Sequence, residues 1–307
     1  MQTPLSYWQR HVYSVIRYGT CRKYKNFIKA YYFYLKGQTK ISSLPSFLKI
    51  EISRFCDVNC KLCFADTSDE FYPLQDYKKL INQFKDYVFL VSLYDIGEPL
   101  HNAHVIECVR YAHENKIGTV ISTSLSINKD DAFWSDLVTS GLDVMIVAID
   151  GVTQKTYNQY RRNGKYELVM SNLKKILELK KFNKSKVFIE WQMIDFEWNR
   201  FEQKAAKKMA YELGCDYFRI IPEANKPRKS WDLDDITRKR NCLLPYVLFF
   251  VTAKNDVRLC YKIYHHDMHI GNLANSSFAE IWNGFEISRV RDPDKIAQRI
   301  GCQKCRE

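Results

Sequence analysis

The sequence lacks any long apolar run. The longest candidate, residues 243–252, falls well short of the roughly 18 residues that a membrane-spanning helix needs, which argues against an integral membrane protein. Glycine and proline are also scarce, at 11 and 8 of 307 residues, so collagen-like and low-complexity chains are excluded. The length predicts one large α/β domain with a small appendage, or two ordinary domains.

The first residues also lack the charged, apolar and small-residue pattern of a cleaved secretion signal. We therefore expect a cytoplasmic protein. In a reducing compartment, the ten cysteines of the chain are better candidates for metal ligands than for disulfides.

Acidic residues are absent from the first 50 positions, which carry nine basic side chains and so most of the net charge of +12. Aromatic side chains are frequent there, and the apolar positions that recur at helical spacing are Leu5, Trp8, Val12, Val15 and Ile16. Residues 1–45 are therefore interpreted as a basic, aromatic helical arm. Such a helix either lies on an anionic membrane surface or acidic partner, or packs on the protein with its Lys and Arg solvated.

From Phe47 onward, short apolar runs alternate with longer helical patterns, which predicts βα units around a parallel sheet. The predicted strands are 48–53, 88–94, 118–123, 143–149, 186–192 and 216–221. The predicted helices are 74–87, 103–115, 130–140, 166–181 and 200–213. A polar, basic linker, 223–241, precedes a predicted hairpin of strands 247–252 and 257–261 that turns at Asn255-Asp256, and a short helix near 278–284.

Three cysteines follow the first predicted strand directly: Cys56, Cys60 and Cys63. Thiolates at this spacing suit three irons of a four-iron, four-sulfur cube and leave the fourth iron without a protein ligand. Loops after the strands of a parallel barrel lie at its carboxyl-end mouth, where the chemistry of such folds takes place. A zinc site is the alternative, although structural zinc requires a fourth ligand nearby.

The spacing and placement of these cysteines resemble those of the radical S-adenosylmethionine (SAM) enzymes, whose open iron chelates the amino and carboxylate groups of SAM. The resemblance implies an α/β fold, a partial (β/α)6 TIM-like barrel over residues 46–222. It also implies that a 4Fe-4S cluster and SAM are cofactors. Further segments match the family, namely Gly97, Glu98 and Pro99 after the second strand and Ser122, Thr123 and Ser124 at the end of the third.

The resemblance assigns roles to these segments. The Gly97 segment matches the one that pairs with the amino group of the cofactor, and the serines and threonine match polar contacts to ribose and methionine carboxylate. Asp150, after the fourth strand, stands at a similar position. Arg161 or Arg162 resembles the arginine near the cofactor carboxylate, and Gln192 is a further candidate for the same wall.

Four more cysteines stand near the carboxyl terminus: Cys242, Cys260, Cys302 and Cys305, with 17, 41 and 2 residues between them. They resemble the shortened "twitch" version of the SPASM domain, which implies one auxiliary 4Fe-4S cluster in residues 242–307. Because the chain ends two residues after Cys305, a second auxiliary cluster is not expected. Zinc remains the alternative for a four-cysteine set that ends in C-x-x-C.

The resemblance also implies a reaction, in which a 5'-deoxyadenosyl radical abstracts hydrogen from an unactivated carbon. Loss of an electron through the auxiliary cluster then gives a dehydrogenase, whereas return of hydrogen by a thiol or phenol gives an epimerase. Cys108, in a predicted outer helix, and Cys215, before the sixth strand, are both poorly placed as donors. This favours dehydrogenation, while Tyr94 is the catalytic candidate that keeps epimerisation open.

We expect a sugar-like or aminocyclitol-like substrate, and phosphate or a nucleotide attached to it would suit the basic linker that contains Lys226, Arg228 and Lys229. The arm is too short for a leader-binding domain, so maturation of a ribosomally made peptide is the second hypothesis. The resemblance implies an electron donor such as a flavodoxin or ferredoxin, and no nucleic acid partner is expected. A zinc-containing basic RNA- or membrane-binding protein is the distant alternative.

Overall fold

The computed structural model describes residues 12–63, 68–223, 242–260 and 269–292. Strands and helices alternate from Phe47 to Pro222, and three more strands follow. The strands are β1 (Phe47–Ile50), β2 (Leu90–Ser92), β3 (Gly118–Thr123), β4 (Val144–Ala148), β5 (Phe188–Asp195), β6 (Tyr217–Pro222), β7 (Leu248–Val251), β8 (Asp256–Arg258) and β9 (His269–Asn272).

The helices connect and cover these strands, and residues 12–17 are helical as well. The helices are α1 (Cys21–Leu35), α2 (Leu74–Phe84), α3 (Val105–Glu114), α4 (Asp131–Thr139), α5 (Gln154–Asn158), α6 (Tyr166–Phe182), α7 (Gln203–Leu213), α8 (Leu244–Val247), α9 (Phe278–Trp282) and α10 (Phe285–Arg291). Short 3-10 helices lie at Pro99–His101 and Glu197–Glu202. No helix within the described ranges is long and apolar enough to cross a bilayer.

All nine strands form one sheet in the order β6-β5-β4-β3-β2-β1-β7-β8-β9. Strands β1 to β6 are parallel, β7 is parallel to β1, and β8 and β9 return antiparallel. In the described part of the chain the outer strands are β6 and β9, so the sheet is open rather than closed. This confirms the predicted α/β fold with a partial barrel and a C-terminal extension.

Strands β1 to β4 are buried on both faces, as the near-continuous apolar runs predict. Every residue of β4 is buried, for example. On the inner face, a small apolar cluster made of Leu90, Val120, Val144 and Ile146 fills the space between neighbouring strands. The large core lies between the outer face and the helices.

The observed strands differ from the predicted ones mainly at their ends. Strand β1 ends at Ile50 instead of residue 53, and Ser53 makes only an isolated bridge to Phe71. Strand β5 continues to Asp195 because β6 supplies hydrogen-bonding partners as far as Pro222. The predicted hairpin turn is correct, and Asn255 occupies it with a φ of 64°, a left-handed conformation that Asn tolerates.

One face of the arm packs over the amino ends of the strands. The buried Asp143, which precedes β4, accepts hydrogen bonds from Tyr18 at 2.8 Å, Arg17 at 2.7 Å and the Thr119 amide at 2.9 Å. The buried Lys23 in α1 donates to the Lys116 carbonyl at 2.7 Å. The arm thus packs on the protein, but not as predicted: Lys23 is buried, whereas Val12 and Ile16 of the predicted apolar stripe are exposed.

The C-terminal extension is attached to the segment that links the arm to β1. Trp282 donates its indole hydrogen to the Ser43 carbonyl at 2.8 Å, and the Asn283 side chain accepts from the Ile41 amide at 2.9 Å. The buried Arg291 guanidinium donates to the carbonyls of Trp282 at 2.7 Å and Thr39 at 3.2 Å. The extension and the barrel therefore share a buried, hydrogen-bonded contact.

The buried Lys23, at the contact between the arm and the sheet, predicts a pH effect on stability. Burial lowers the pKa of Lys23 to about 8, against 10.5 for an ordinary lysine. Between these values the unfolded chain holds a proton that the folded chain releases, so the free energy of unfolding rises with pH. We expect the free energy of unfolding of wild type, relative to that of Lys23→Met, to rise by about 1 to 3 kcal/mol between pH 8 and pH 10.5. Urea unfolding at a series of pH values measures this difference.

Lys25 on the exposed side of the same helix supplies the control. The difference between wild type and Lys25→Met should show no such slope. A flat difference for Lys23→Met as well would mean that Lys23 is not buried as described.

Candidate functional site

The three-cysteine loop leaves β1 at the carboxyl end of the sheet and is held by backbone hydrogen bonds to neighbouring segments. The Lys61 amide donates to the Tyr160 carbonyl at 2.8 Å, and the Asn163 amide donates to the Val58 carbonyl at 2.9 Å. Asn59 takes a left-handed φ of 51°, which lets the chain turn between Cys56 and Cys60. The loop is therefore fixed by the segment that follows α5.

Gly97 brings the segment after β2 against the cysteine loop. A Cβ atom on this residue would lie 2.1 Å from the Ser53 carbonyl oxygen and 2.7 Å from Arg54 backbone atoms, which no side chain tolerates. The neighbouring Glu98 amide donates to the Phe55 carbonyl at 2.8 Å. The predicted glycine thus allows the two loops to approach closely.

Glu98 and Ser124 join the carboxyl ends of β2 and β3. The buried Glu98 carboxylate accepts hydrogen bonds from the Ser124 amide at 2.7 Å and the Ser124 hydroxyl at 2.8 Å, and its other oxygen accepts from the Leu100 amide at 3.2 Å. The structure therefore brings two predicted site residues together. It gives Glu98 a positioning role at the mouth, and its predicted contact with a cofactor amine stays a prediction.

Asp150 and Arg161 form a buried ion pair that reaches the cysteine loop. Arg161 Nε donates to Asp150 Oδ2 at 2.7 Å, while Arg161 Nη1 lies 3.8 Å from Cys60 Sγ. The Ile194 amide donates to Asp150 Oδ1 at 2.7 Å and orients the carboxylate. Arg162 is exposed, so Arg161 is the arginine of the pair that the fold directs to this site.

The other predicted residues are spread around the same mouth. Thr123 and Pro99 are buried beside the Glu98–Ser124 contact, whereas Ser122 is half-buried in β3. Gln192 in β5 accepts a hydrogen bond from Arg219. Tyr94 follows β2 and packs against the apolar cluster on the inner face of the sheet.

Burial suppresses ionisation of two thiols in the loop. It raises the pKa of Cys56 to about 12, with the Glu98 carboxylate adding to the effect. It also raises the pKa of Cys60, although the Arg161 guanidinium opposes the increase. Neutral thiols in such surroundings become thiolates when a bound metal supplies positive charge, so the donor set is matched to a metal cluster rather than to a free nucleophile.

The loop carries the donor set of an iron–sulfur cube, three thiols at a spacing that suits three of its irons. Among the residues that the structure describes, no three His, Cys, Asp or Glu side chains converge as a single metal ion requires. A cube places its thiolate ligands on different iron atoms, so the sulfurs need not converge on one point. Cys63 is exposed and its thiol lies 3.9 Å from the Ile96 carbonyl, close to the Gly97 segment.

Half of the predicted auxiliary set lies within the described residues. Cys242, before α8, is half-buried, and Cys260, after β8, is buried. Cys302 and Cys305 lie outside the described residues, as do the linker residues Lys226, Arg228 and Lys229. The auxiliary ligand set therefore stays a prediction.

Sequence reasoning missed a set of charged side chains inside the sheet: Lys49, Asp95, Glu190, Arg219 and Arg258. Cross-strand partners share a face, and Glu190 pairs with Ile146 of the inner apolar cluster. By the same rule, Lys49 and Arg258 both neighbour Phe250. The signal that would have found them is a charged residue within a buried apolar strand, such as Lys49 between Leu48 and Ile50.

These charges form two ion-paired groups. Asp95 lies 3.1 Å from Lys49 Nζ and 3.7 Å from Arg258 Nη1, and the Lys49 ammonium sits 4.4 Å from the centre of the Tyr94 ring. On the other wall, Arg219 Nε lies 2.6 Å from Glu190 Oε1. The inner face above the apolar cluster is therefore strongly polar.

Two further residues position the loop that carries Asp150. The buried Asn199 side chain donates to the carbonyls of Asp150 at 3.1 Å and Ile194 at 2.9 Å. Glu202 accepts hydrogen bonds from the Val152 amide at 2.7 Å and the Thr156 hydroxyl at 2.8 Å. Their place in a 3-10 helix after β5 gives no sequence signal for this role.

The ion pair at the loop predicts a large difference between adjacent arginines. Arg161→Ala leaves Asp150 buried without its partner, so we expect a loss of about 3 to 5 kcal/mol in unfolding free energy. Arg162→Ala should change stability by no more than about 0.5 kcal/mol, because Arg162 is exposed. Urea unfolding of the two variants measures both values.

The paired variant Asp150→Asn with Arg161→Gln should be less destabilised than the sum of its single substitutions, since it removes both buried charges. Equal effects of Arg161→Ala and Arg162→Ala would contradict the assignment of Arg161.

Two family models match the chain. The model of the radical SAM superfamily matches residues 50–189, which run from the end of β1 to the start of β5 and include the three-cysteine loop. The SPASM model, an iron–sulfur cluster-binding domain, matches residues 242–306. The single auxiliary cluster of the twitch type stays a prediction.

Curated relatives match only part of the chain. An AdoMet-dependent heme synthase of Oleidesulfovibrio alaskensis is 27% identical over 116 residues, 36% of this chain and 29% of that protein. The AdoMet-dependent heme synthase of Nitratidesulfovibrio vulgaris is 25% identical over 115 residues, 36% of this chain and 31% of that protein. The matched region spans less than a third of the length of these relatives.

Solved structures share the fold at low sequence identity. Streptococcus suis SuiB bound to S-adenosylmethionine has a TM-score of 0.65 at 17% identity and covers 83% of this chain and 69% of its own. BtrN in complex with AdoMet and 2-DOIA has a TM-score of 0.51 at 15% identity, covering 86% and 94%. AnSMEcpe with bound AdoMet and Cp18Cys peptide has a TM-score of 0.58 at 14% identity, covering 86% of each chain.

The family matches fall on the two cysteine-bearing regions that the sequence singles out. They confirm the predicted cofactors, 4Fe-4S clusters and SAM. This chain therefore contains a radical SAM domain over residues 50–189 and a SPASM-type iron–sulfur domain over residues 242–306.

Proposed function

We propose that this radical SAM enzyme is an oxidoreductase that dehydrogenates a small, polar, sugar-like or aminocyclitol-like substrate. Bound SAM and its cluster supply the chemistry that abstracts a hydrogen atom from an unactivated carbon. The product then lacks a pair of hydrogens, one taken as an atom and one as a proton. An auxiliary cluster held by Cys242, Cys260, Cys302 and Cys305 would supply the acceptor for the remaining electron. An external donor such as a flavodoxin or ferredoxin supplies the reducing electron.

The observation that carries dehydrogenation is the position of the cysteines outside the two ligand sets: Cys21, Cys108 and Cys215. Cys108 is buried in α3 and Cys215 is buried just before the amino end of β6. Burial raises the pKa of each of these two thiols to about 12. Cys21 is exposed at the start of α1, beside the amino ends of the strands. None of these three thiols therefore lies beside the carboxyl-end mouth, where it could return hydrogen to the substrate.

The polar inner face supports a small hydrophilic substrate. Lys49, Asp95 and Arg258 line one side of it, and Glu190 with Arg219 lines the other. Charged and amide groups at fixed positions suit hydroxyl and amino substituents, which need partners when they leave water. The apolar cluster of Val120, Val144 and their neighbours closes the amino end of the inner face.

In this proposal, residues of the mouth orient the loops around the site and exclude water from it. Arg161 and Asp150 hold the cysteine loop, and the Glu98–Ser124 contact holds the segment opposite. Cys260, a proposed ligand of the auxiliary cluster, follows Arg258 by two residues. The auxiliary set and the polar inner face are thus adjacent along the chain.

Maturation of a ribosomally made peptide is the second candidate. The observation in its favour is that SuiB has been solved bound to its precursor peptide SuiA, with a TM-score of 0.66, and anSMEcpe with a peptide. Epimerisation of a carbohydrate is the third, and it depends on Tyr94, the phenol beside Lys49 on the inner face.

The cluster assignment predicts an iron count. Wild type should hold about eight irons per chain after anaerobic reconstitution, and the triple variant Cys56→Ala, Cys60→Ala, Cys63→Ala about four, at four per cube. That variant should lose SAM cleavage, and Cys108→Ala is the matched control because Cys108 is outside both sets. Zinc without iron, or cleavage that persists in the triple variant, would overturn the proposal.

Dehydrogenation predicts a distinct isotope pattern. The assay is run in D2O with sugars, aminocyclitols and candidate peptides as separate substrates. The product of a sugar-like substrate should lack a pair of hydrogens and carry no solvent deuterium on carbon. Tyr94→Phe should retain this activity, because a dehydrogenase returns no hydrogen. Deuterium on the substrate carbon, lost in Tyr94→Phe, would establish epimerisation instead. Turnover of peptides alone would establish the second candidate.

A further inference from the structure

Helix α1 presents an apolar face to solvent. Tyr24, Ile28, Tyr31 and Leu35 recur at three- and four-residue intervals, and Ile28 and Leu35 are 65% and 60% exposed. Side chains at this spacing lie on one side of a helix. Among the described residues, eight of the fourteen exposed large hydrophobic side chains belong to positions 12–35. The remaining six are scattered over the rest of the chain, so this concentration is local.

The opposite face of α1 packs against the rest of the protein. Lys23, Asn26 and Ala30 are buried, and Asn26 donates to the Leu44 carbonyl at 2.8 Å. The buried hydrogen bond from Lys23 to the Lys116 carbonyl further fixes the rotation of the helix. The helix therefore cannot turn its exposed apolar face inward without breaking these contacts.

A basic flank borders the apolar face. Lys25, Lys29 and Lys36 are exposed, and at 100° per residue they lie along one edge of the apolar stripe. No acidic residue occurs in the first 50 positions to neutralise them. The preceding helical residues add two exposed apolar side chains, Val12 and Ile16, of which Ile16 is 71% exposed.

We propose that this face, comprising Val12, Ile16, Tyr24, Ile28, Tyr31, Leu35 and the lysines 25, 29 and 36, binds the surface of an anionic lipid bilayer. Tyrosine and aliphatic side chains enter the headgroup region while lysines keep their ammonium groups beside anionic headgroups. A second copy of the chain is disfavoured as the occupant, because it would bring two uncompensated basic flanks together. The proposal does not depend on the proposed function.

A bilayer bound to α1 would not cover the active site. The arm covers the amino ends of the strands through Asp143 and Lys116, whereas the cysteine loop lies at their carboxyl ends. A bilayer bound to the outer side of α1 therefore lies at the end of the sheet opposite the mouth. SAM cleavage should be unchanged when vesicles are added.

The test is co-sedimentation of the reconstituted protein with vesicles of phosphatidylserine and phosphatidylcholine, and with phosphatidylcholine alone. We expect binding to the anionic vesicles that weakens as salt is raised, because salt screens the lysines. Ile28→Ser with Leu35→Ser, and Lys25→Gln with Lys29→Gln and Lys36→Gln, should each weaken binding about tenfold or more.

The matched controls make the same types of substitution elsewhere on the surface. Phe182→Ser with Phe285→Ser removes side chains that are 83% and 74% exposed, and Lys204→Gln with Lys207→Gln and Lys208→Gln removes three exposed lysines of α7. Both controls should bind like wild type, and all variants should retain their iron and helical circular dichroism.

Three outcomes would overturn the proposal. Wild type that does not sediment with anionic vesicles excludes the membrane as the occupant. Equal weakening by the control variants shows that binding is not specific to this face. A dimer in solution that Ile28→Ser with Leu35→Ser converts to monomer, without vesicle binding by wild type, assigns the face to a second copy.

Discussion

The buried ion pair between Asp150 and Arg161 is the interaction on which the site depends most. It joins the end of β4 to the segment after α5, and Arg161 continues the contact to Cys60 in the loop after β1. A buried guanidinium beside a carboxylate is stable only when both charges remain and their other hydrogen-bonding atoms are satisfied. The Ile194 amide donates to the second carboxylate oxygen of Asp150, while Asn199 holds the Asp150 backbone carbonyl. The position of the cysteine loop is thus determined by residues about a hundred positions later in the chain.

The fold could be predicted from the sequence largely because burial on both sides of a parallel sheet leaves a strong apolar pattern. The cysteine loop was equally visible, since its spacing is local. The choice between Arg161 and Arg162 could not be predicted from the sequence. Adjacent residues point in different directions, and only the tertiary contact with Asp150 selects one of them. The charges on the inner face depend on register between strands that are distant in sequence, as in the contact of Asp95 with Arg258. No local pattern reports such a pairing.

The amphipathic character of the arm shows the same limit in another form. The apolar periodicity predicts a helix, but apolar residues normally identify the packed face, and here many of them lie on the opposite one. The packed face contains Lys23 and Asn26 because backbone carbonyls of Lys116 and Leu44 accept their hydrogens. Polar side chains can line a buried face when each finds such a partner. The apolar residues are then left for the outer surface, where they require another explanation.

The two ends of the sheet consequently carry different physical properties. At the amino ends, Asp143 binds Tyr18 and Arg17, so the arm covers the strands and presents its exposed face away from them. At the carboxyl ends, the loops carry thiols, a buried ion pair and a polar inner face, which suit a cofactor and a hydrophilic substrate. A substrate can reach the mouth from water while the arm is docked, because the sheet lies between the two surfaces. This separation explains how an apolar, basic arm and a site that must exclude water can belong to one chain without competing for the same surface.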